Sequence, residues 1–314
     1  MSPPARCDEY SVPTALRFIP PEVGGLKKGS IWNYQVPELE PVTEYGAFFG
    51  LKVTLKVEGG WNTFSGNDIK AGIMGMYDNG VDYVTSTGVT IAENARNACR
   101  GGLEVGGDLI YCLTPQFGIG VGVAEVSAWE ESRVLYSLAP LSTGIFQSSP
   151  RVKVTAFRAG VFYSYPFSGF LAVSIRGGPA YYSAKYNFVV SGNTGFIRDG
   201  LIYTSYNQDV KADKWGFEGG LGFEFTPNPF VAIFLEVQGR YAKIGGLEGD
   251  ETAVFYQDGQ SRRSDSSGPV YLVETAARPQ LDIIPSGGTV PAGARRATLN
   301  ISGVTFLAGL KFRL

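Results

Sequence analysis

Charged residues recur at alternate positions within otherwise apolar segments, and they are the side chains of this chain that could do chemistry. Carboxylate pairs such as Glu218 and Glu224 could in principle act as general acid and general base. The same carboxylates could instead pair with cations in an interior network, because an isolated buried charge is costly. The two signs nearly balance, which favours the network over a narrow ion path or gate. Its predicted members are Lys52, Lys56, Arg158, Arg176, Arg240, Lys311 and Arg313, against Glu58, Glu104, Asp108, Glu218, Glu224 and Glu236.

Catalysis has little support elsewhere in the sequence. The chain contains no His, which removes a Ser-His-Asp triad and His-based zinc sites. The glycine run Gly118-Ile-Gly-Val-Gly122 follows a Pro turn and continues as a strand. A nucleotide-binding loop should open a helix instead, so the run is better explained as room inside a crowded interior. We therefore expect no enzymatic activity, no cofactor and no metal site.

The network charges lie in eight segments whose side chains alternate between apolar and polar or small residues. Alternation with a period of two is typical of a β-strand with different surroundings on its two faces. Each segment has the length of about 9–11 residues that a tilted strand needs to cross a bilayer. The segments are 45–60, 102–114, 117–128, 151–165, 169–186, 211–226, 230–244 and 297–314.

The connections between these segments alternate between short and long, as they do in outer-membrane barrels. This pattern places both termini in the periplasm and the long loops outside the cell. Two hairpin-like pairs in the loops, 81–85 with 88–91 and 270–273 with 281–284, would extend the barrel or raise its strand number from 8 to 10–12. The short turns are 114–116, 166–168 and 226–229, and the long loops are 61–101, 129–150, 187–210 and 245–296.

Two segments alternate less regularly. In the fourth segment, an alternation that places Arg158 inside places Lys153 and Thr155 on the outer face. This predicts a bulge, or an emergence of the strand from the membrane, near Ala156. In the third, Glu125 falls on the lipid-facing phase, so it should lie near the outer rim. Aromatic residues gather at both ends of the segments, as in the two belts that mark membrane interfaces.

The bulk composition narrows the classes of protein further. No window approaches the roughly 18 consecutive apolar residues of a transmembrane helix, and the net charge of −2 argues against nucleic acid. Residues 1–7 contain no apolar signal-peptide region, so we expect that an export signal has been removed. Residues 1–44 are Pro-rich and end in an acidic run. We interpret them as an irregular periplasmic extension: a flexible tail, or a segment that binds a partner, lies under the barrel or enters it.

The chain has three Cys, an odd number. Cys99 and Cys112 are thirteen residues apart on or beside one extended strand, roughly 40 Å, so they cannot pair with each other. Cys112 points inward near the periplasmic turn, and Cys7 lies on the periplasmic extension. If an intrachain disulfide exists, Cys7–Cys112 is the feasible one; free, buried thiols are the alternative.

The last nine residues, Phe306-Leu-Ala-Gly-Leu-Lys-Phe-Arg-Leu314, place an apolar stripe opposite a face that carries Lys311 and Arg313. This end resembles the carboxy-terminal assembly signal of bacterial outer-membrane barrels, in which bulky apolar residues occupy the third and fifth positions after a glycine. Gly309, Phe312 and Leu314 occupy those places, although Leu replaces the usual final Phe or Trp. Region 45–314 as a whole resembles the small outer-membrane barrel superfamily, the OmpA/OmpX/OmpW-like group.

The resemblance implies an all-β fold, an eight-stranded antiparallel up-and-down transmembrane β-barrel with long extracellular loops, in the outer membrane of a Gram-negative bacterium. It implies outer-membrane lipid and the barrel-assembly machinery as partners, with a further periplasmic or membrane protein contacted through residues 1–44. We expect a charge-plugged barrel with a structural or interaction role in surface contact, envelope integrity or a membrane assembly. The alternatives are a narrow channel for ions or small solutes and, more distantly, an outer-membrane enzyme.

Overall fold

The structure, a computed structural model, describes residues 53–63, 65–86, 88–97, 101–139, 142–197, 200–257, 260–274 and 278–314. Within these ranges the protein is built from antiparallel β-strands and one helix, α1, which spans Asn67–Ser86. The predicted all-β antiparallel class is therefore confirmed for the described part of the chain. The predicted boundary between residues 44 and 45 lies outside the described residues.

Eight strands form a closed ring, in which each strand pairs antiparallel with two neighbours. Around the ring the order is β1, β3, β4, β6, β7, β8, β9 and β16, and β16 pairs back onto β1. The ring strands are β1 Val53–Thr63, β3 Gly101–Cys112, β4 Phe117–Trp129, β6 Ser142–Pro166, β7 Leu171–Ile197, β8 Gly200–Asn228, β9 Val231–Tyr241 and β16 Gly303–Arg313.

The other eight strands lie between ring strands in the sequence. β5 pairs with β6 and β2, β11 joins β8 to β12, and β12 also pairs with β13 and β14. The pair β10–β15 forms a separate two-stranded sheet. Their bounds are β2 Thr90–Ala95, β5 Ser132–Ala139, β10 Lys243–Ile244, β11 Glu248–Gln257, β12 Gln260–Glu274, β13 Pro279–Ile283, β14 Arg295–Arg296 and β15 Leu299–Asn300.

The long connections are folded. The three short turns fall where they were predicted, and the pair 270–273 with 281–284 occurs as β12 with β13. The predicted hairpin at 81–85 is wrong, because these residues lie in α1. The predicted last strand, 297–314, is too long, since β16 begins at Gly303 and Leu299–Asn300 before it form the separate strand β15. Alternation alone could not separate this short piece from the ring strand.

Side chains alternate between the inside and the outside of the ring along each strand. In β6, Arg158 is buried while Lys153 is exposed, and the pairing register with β4 runs unbroken through Ala156. The predicted bulge at that point is therefore wrong. Glu125 lies on the outward face as expected, and its carboxylate is 2.8 Å from the Lys153 ammonium.

The helix α1 packs its apolar side mainly against β13, which lies within the long connection between β9 and β16. Ile69, Ile73 and Tyr77 recur every four residues and are buried, which is the spacing of one helix face. Gly72 and Gly75 permit close approach, because a Cβ on Gly75 would come within 1.7 Å of the Pro279 carbonyl oxygen. The helix therefore docks directly onto β13.

An apolar core lies toward the long-loop end of the ring. We call it the apolar plug, and it contains residues of α1, β12, β13 and β15 together with inward-facing residues of β4, β6, β7 and β8. Its largest fully buried members include Tyr182, Tyr186 and Phe188. The charged residues of the ring interior thus lie nearer the short turns than this plug.

Candidate functional site inside the ring

The structure brings twelve of the thirteen predicted network residues into the ring interior. Lys52 lies outside the described residues. Eleven of the twelve are buried, and the exception is Arg313, whose side chain is 38% exposed. The residues that the structure places together are Lys56, Glu58, Glu104, Asp108, Arg158, Arg176, Glu218, Glu224, Glu236, Arg240, Lys311 and Arg313.

Arg158 and Lys56 hold the centre of the network. The Arg158 guanidinium donates from Nε to Asp108 Oδ1 at 2.7 Å and from Nη2 to Glu58. The Lys56 ammonium lies 2.7 Å from Glu58 Oε2 and donates to Glu236 Oε2 at 2.8 Å. Four strands that are far apart in sequence therefore meet through these side chains.

Arg176 links this centre to β9. Its Nε donates to Glu236, and its Nη2 donates to Gln238 Oε1 at 2.6 Å. The planar guanidinium suits this role, because it presents several donors in one fixed geometry. Glu236 thereby accepts from two cations, Arg176 and Lys56.

Arg240 forms the part of the network next to the apolar plug. Its Nη2 lies 2.5 Å from Glu104 Oε2, which also accepts from the Thr305 hydroxyl at 2.9 Å. Glu218 Oε1 accepts from the Tyr182 hydroxyl at 2.8 Å and lies 3.5 Å from Arg240 Nε. Tyr182 therefore joins the charge network to the plug, since it belongs to both.

Glycines on the inward face make the space for these charges. A Cβ on Gly122 would come within 2.0 Å of Asp108 Oδ1, and one on Gly220 within 2.4 Å of Glu236 Oε1. Alternate glycines along β4 therefore place Asp108 and Arg158 at close range, which agrees with the crowded interior that the sequence indicates.

Sequence reasoning missed several interior residues that complete the network. Phe234 is 1% exposed and lies beside Lys56 and Lys311, with ring centroid distances of 4.6 and 5.8 Å from their Nζ atoms. Tyr182 and Gln238 accept or donate hydrogen bonds within the network. The alternation of side chains could have identified them, because these three residues occupy the same inward-facing positions as the charged residues of their strands.

A second cluster of polar side chains, separate from the network, holds the start of α1 against Arg295 and Thr298. Arg295 donates to both carboxylate oxygens of Asp68, at 2.5 and 2.7 Å, and Thr298 donates through its amide and hydroxyl at 3.0 and 2.8 Å. Burial alone would raise the pKa of Asp68, but these hydrogen bonds outweigh it and hold that pKa below its usual 3.8. Burial raises the pKa of Tyr77 to about 12, with a smaller contribution from Asp78.

The predicted disulfide between Cys7 and Cys112 stays a prediction, because Cys7 lies outside the described residues. The Sγ of Cys112 lies 3.7 Å from Thr54 Oγ1. Across the described ranges, no group of three or more His, Cys, Asp or Glu side chains is placed to hold a metal ion.

No protein-family model and no curated protein matches the chain. Among solved structures it is similar to the outer membrane protease OmpT from Escherichia coli. The two share 11% identity over 84% of this chain and 97% of that chain, with a TM-score of 0.30. In the part of the chain that the structure describes, no helix is long and apolar enough to cross a membrane.

The prediction that this chain has no enzymatic activity is contradicted by that similarity, because the solved structure is named a protease. We therefore withdraw the prediction. A TM-score of 0.30 assigns no activity to this chain in its turn.

Proposed function

We propose that the ring is a transmembrane β-barrel of the Gram-negative outer membrane, closed inside, with a structural or interaction role. The observation that carries the proposal is an apolar band on the outward face of every ring strand. A continuous exposed apolar band marks an interaction surface, and lipid suits one that encircles a β-ring. Its members, 39–64% exposed, are Leu55, Val57, Val105, Leu109, Val121, Val123, Phe157, Val161, Ile175, Leu221, Phe223, Leu235, Val237, Phe306 and Leu310.

The distribution of charge supports the same proposal. Around the charge network, ionised side chains of the ring strands point inward while the outward face is apolar, the reverse of a soluble domain. Closure of the ring also pairs the strand edges, so backbone donors and acceptors need no water. Both properties are what a bilayer requires of a β-structure.

Exposed aromatic side chains lie near the two ends of the apolar band. Those near the long connections are Trp61, Trp129, Trp215 and Tyr241, and those near the short turns are Phe117, Tyr163, Tyr165, Phe170, Phe225 and Phe230. Aromatic rings favour membrane–water interfaces, where an apolar body and a polar tip are both accommodated. We infer that the two groups form the interfacial belts.

Two layers support a closed interior. The charge network lies nearer the short turns, and the apolar plug lies toward the long-loop end. The interior of an eight-stranded ring is only wide enough for side chains to fill. The protein would then act through its surfaces, in contact outside the cell, in envelope integrity or as a subunit of a membrane assembly.

Two kinds of partner belong to this proposal. Gly309, Phe312 and Leu314 would present the assembly signal to the barrel-assembly machinery, with outer-membrane lipid around the finished ring. Residues 1–44, outside the described residues, would contact a periplasmic or membrane protein. Purification of the native protein from membranes, with and without residues 1–44, tests the second: the proposal expects a partner that disappears with the truncation.

Membrane insertion can be tested by depth-dependent quenching. A variant that keeps Trp215 alone should be quenched in vesicles whose lipids carry bromine close to the interface, and less by bromine near the bilayer centre. A variant that keeps Trp61 alone should behave in the same way, because both lie near one end of the band. Emission insensitive to bromine at every depth would contradict a membrane location.

Closure of the interior can be tested by conductance in planar bilayers. The proposal expects no discrete openings from the wild-type protein. Openings that disappear on Arg240→Gln or Glu236→Gln would instead support the narrow channel and overturn the closed interior. Exposed Lys153→Gln, on the outward face, is the matched control because it removes a charge without touching the interior.

A further inference from the structure

The ring interior contains a cavity of about 80 Å³ at its short-turn end, which we call the vestibule. It is bounded by the turn at 113–116 and by the interior ends of several ring strands. Because a buried water needs only about 10–15 Å³ measured in this way, the vestibule has room for an ion of the size of phosphate.

Charge is distributed unevenly around this vestibule. Four of the six described network cations line it, Lys56, Arg176, Lys311 and Arg313, but only two of the six carboxylates do, Glu224 and Glu236. The remaining two cations and four carboxylates of the network do not line it. The network is neutral as a whole, yet it surrounds the vestibule with an excess of two positive charges.

The cations at the mouth of the vestibule share one carboxylate. Lys311 donates to Glu224 Oε1, while Arg313 lies 3.9 Å from Glu224 Oε2, at the limit of an ion pair. The Arg313 side chain is 38% exposed, so its guanidinium is open to solvent. The hydroxyls of Thr54 and Ser174 also line the cavity and can donate hydrogen bonds.

We propose that the vestibule binds a small oxyanion of the phosphate class, which enters from the short-turn side. Clustered cations with low-dielectric walls concentrate anions, and arginine and lysine donors form short, charge-assisted hydrogen bonds with phosphate oxygens. Lys56, Arg176, Lys311 and Arg313 supply the charge, and Thr54 and Ser174 supply neutral donors. This site needs neither an open channel nor a particular partner.

Cys112 lines the same vestibule and provides a reporter. With Cys7→Ser and Cys99→Ser in the full chain, it is the single thiol. Its reaction rate can be compared for two methanethiosulfonate reagents, one carrying a sulfonate and one a quaternary ammonium. The proposal expects Arg313→Glu to lower the anionic-to-cationic rate ratio about tenfold. Lys153→Glu, on the outer face, should change the ratio less than about twofold.

Inorganic phosphate then tests occupancy directly. At constant ionic strength it should slow the anionic labelling of Cys112, whereas chloride should not, and Arg313→Gln should remove the protection. Equilibrium dialysis of wild-type protein with labelled phosphate provides a readout without the thiol, and should give one site per chain that Arg313→Gln weakens. Folding of each variant is checked by the heat-dependent gel mobility of the barrel. Phosphate that protects no better than chloride, together with no saturable binding in dialysis, overturns the proposal.

Discussion

Lys56 and Lys311 lie directly opposite each other on β1 and β16, and both point into the ring. Like charges at such cross-strand positions destabilise a sheet. Here Lys56 donates to Glu236 at 2.8 Å and Lys311 donates to Glu224. The buried ring of Phe234 lies beside both ammonium groups, 4.6 Å from one and 5.8 Å from the other. Two carboxylates and one aromatic ring therefore allow β1 and β16 to close the ring.

The Phe234 ring should contribute to ring stability through both cations. We expect Phe234→Leu to lower the free energy of unfolding by about 2 kcal/mol, because desolvated cation–π contacts are of that order and Leu preserves most of the buried volume. Urea unfolding in lipid vesicles measures the change. Phe223→Leu, on the outward face of β8 at 60% exposure, is the control and should cost clearly less. Equal losses for the two variants would contradict the role of the cations.

Gly309 should be required for closure between β16 and its neighbours. It is paired with Phe234, and a Cβ there would come within 2.0 Å of the Val57 carbonyl oxygen and 2.8 Å of the Phe234 ring. We expect Gly309→Ala to slow folding or reduce the folded fraction, measured by heat-dependent gel mobility after dilution into vesicles. At Gly239 the nearest atom to an added Cβ is 3.9 Å away, so Gly239→Ala should fold normally. Normal folding of Gly309→Ala would mean that the strands have more freedom than the structure shows.

Glu236 should be far more important for stability than a carboxylate on the outer face. Glu236→Gln removes a carboxylate that forms ion pairs with both Lys56 and Arg176. Removal of one member of a buried pair costs about 3–5 kcal/mol. Glu125→Gln, which breaks the exposed pair with Lys153, should cost less than about 1 kcal/mol. Unfolding in urea compares the two, and similar losses would show that the network is well solvated.

Docking of α1 should depend on Asp68 and on pH. The pKa of Asp68 is lowered in the folded protein, so its stabilising contribution is complete above the ordinary value near 3.8 and is lost as pH falls through the lower folded pKa. Asp68→Asn should reduce the free energy of local opening of α1 by about 2 kcal/mol at pH 7. That reduction corresponds to amide exchange in α1 that is about 30-fold faster.

The wild-type helix should show a fall in protection below about pH 4, after correction for the intrinsic exchange rate, and the Asn variant should show a smaller one. Arg262, which lies on the exposed part of β12, offers a control as Arg262→Gln, since it should leave α1 exchange unchanged. Identical pH profiles for wild type and Asp68→Asn would remove Asp68 as the cause.

Much of the ring could be predicted because its information is local. Alternation in β1, β9 and β16 identifies strands and assigns each charge to one face, since neighbouring side chains of a strand point in opposite directions. Pro, Asn and Ser place the three short turns. The last nine residues are enough to distinguish the two faces of the last strand, so the sequence correctly assigns Lys311 and Phe312 to opposite faces.

The helix and the pairing of the long connections could not be predicted in this way. The 81–85 segment of α1 has β-branched residues that also suit a strand, and the helix is stabilised by docking onto β13 and by Arg295, 227 residues from Asp68 in sequence. Contacts of such sequence separation leave no periodic pattern in either segment. The unbroken register at Ala156 was likewise set by neighbouring strands.

The amino-acid sequence by itself therefore determined which residues are charged, which face each occupies and where the ring strands turn. These are properties of a few adjacent residues and of backbone geometry. Only the tertiary structure decided that Lys56 is opposite Lys311, that Phe234 lies beside both, and that four cations gather around the vestibule. Those relationships depend on which strands are neighbours and in which register, and ring closure determines both at once across distant parts of the chain.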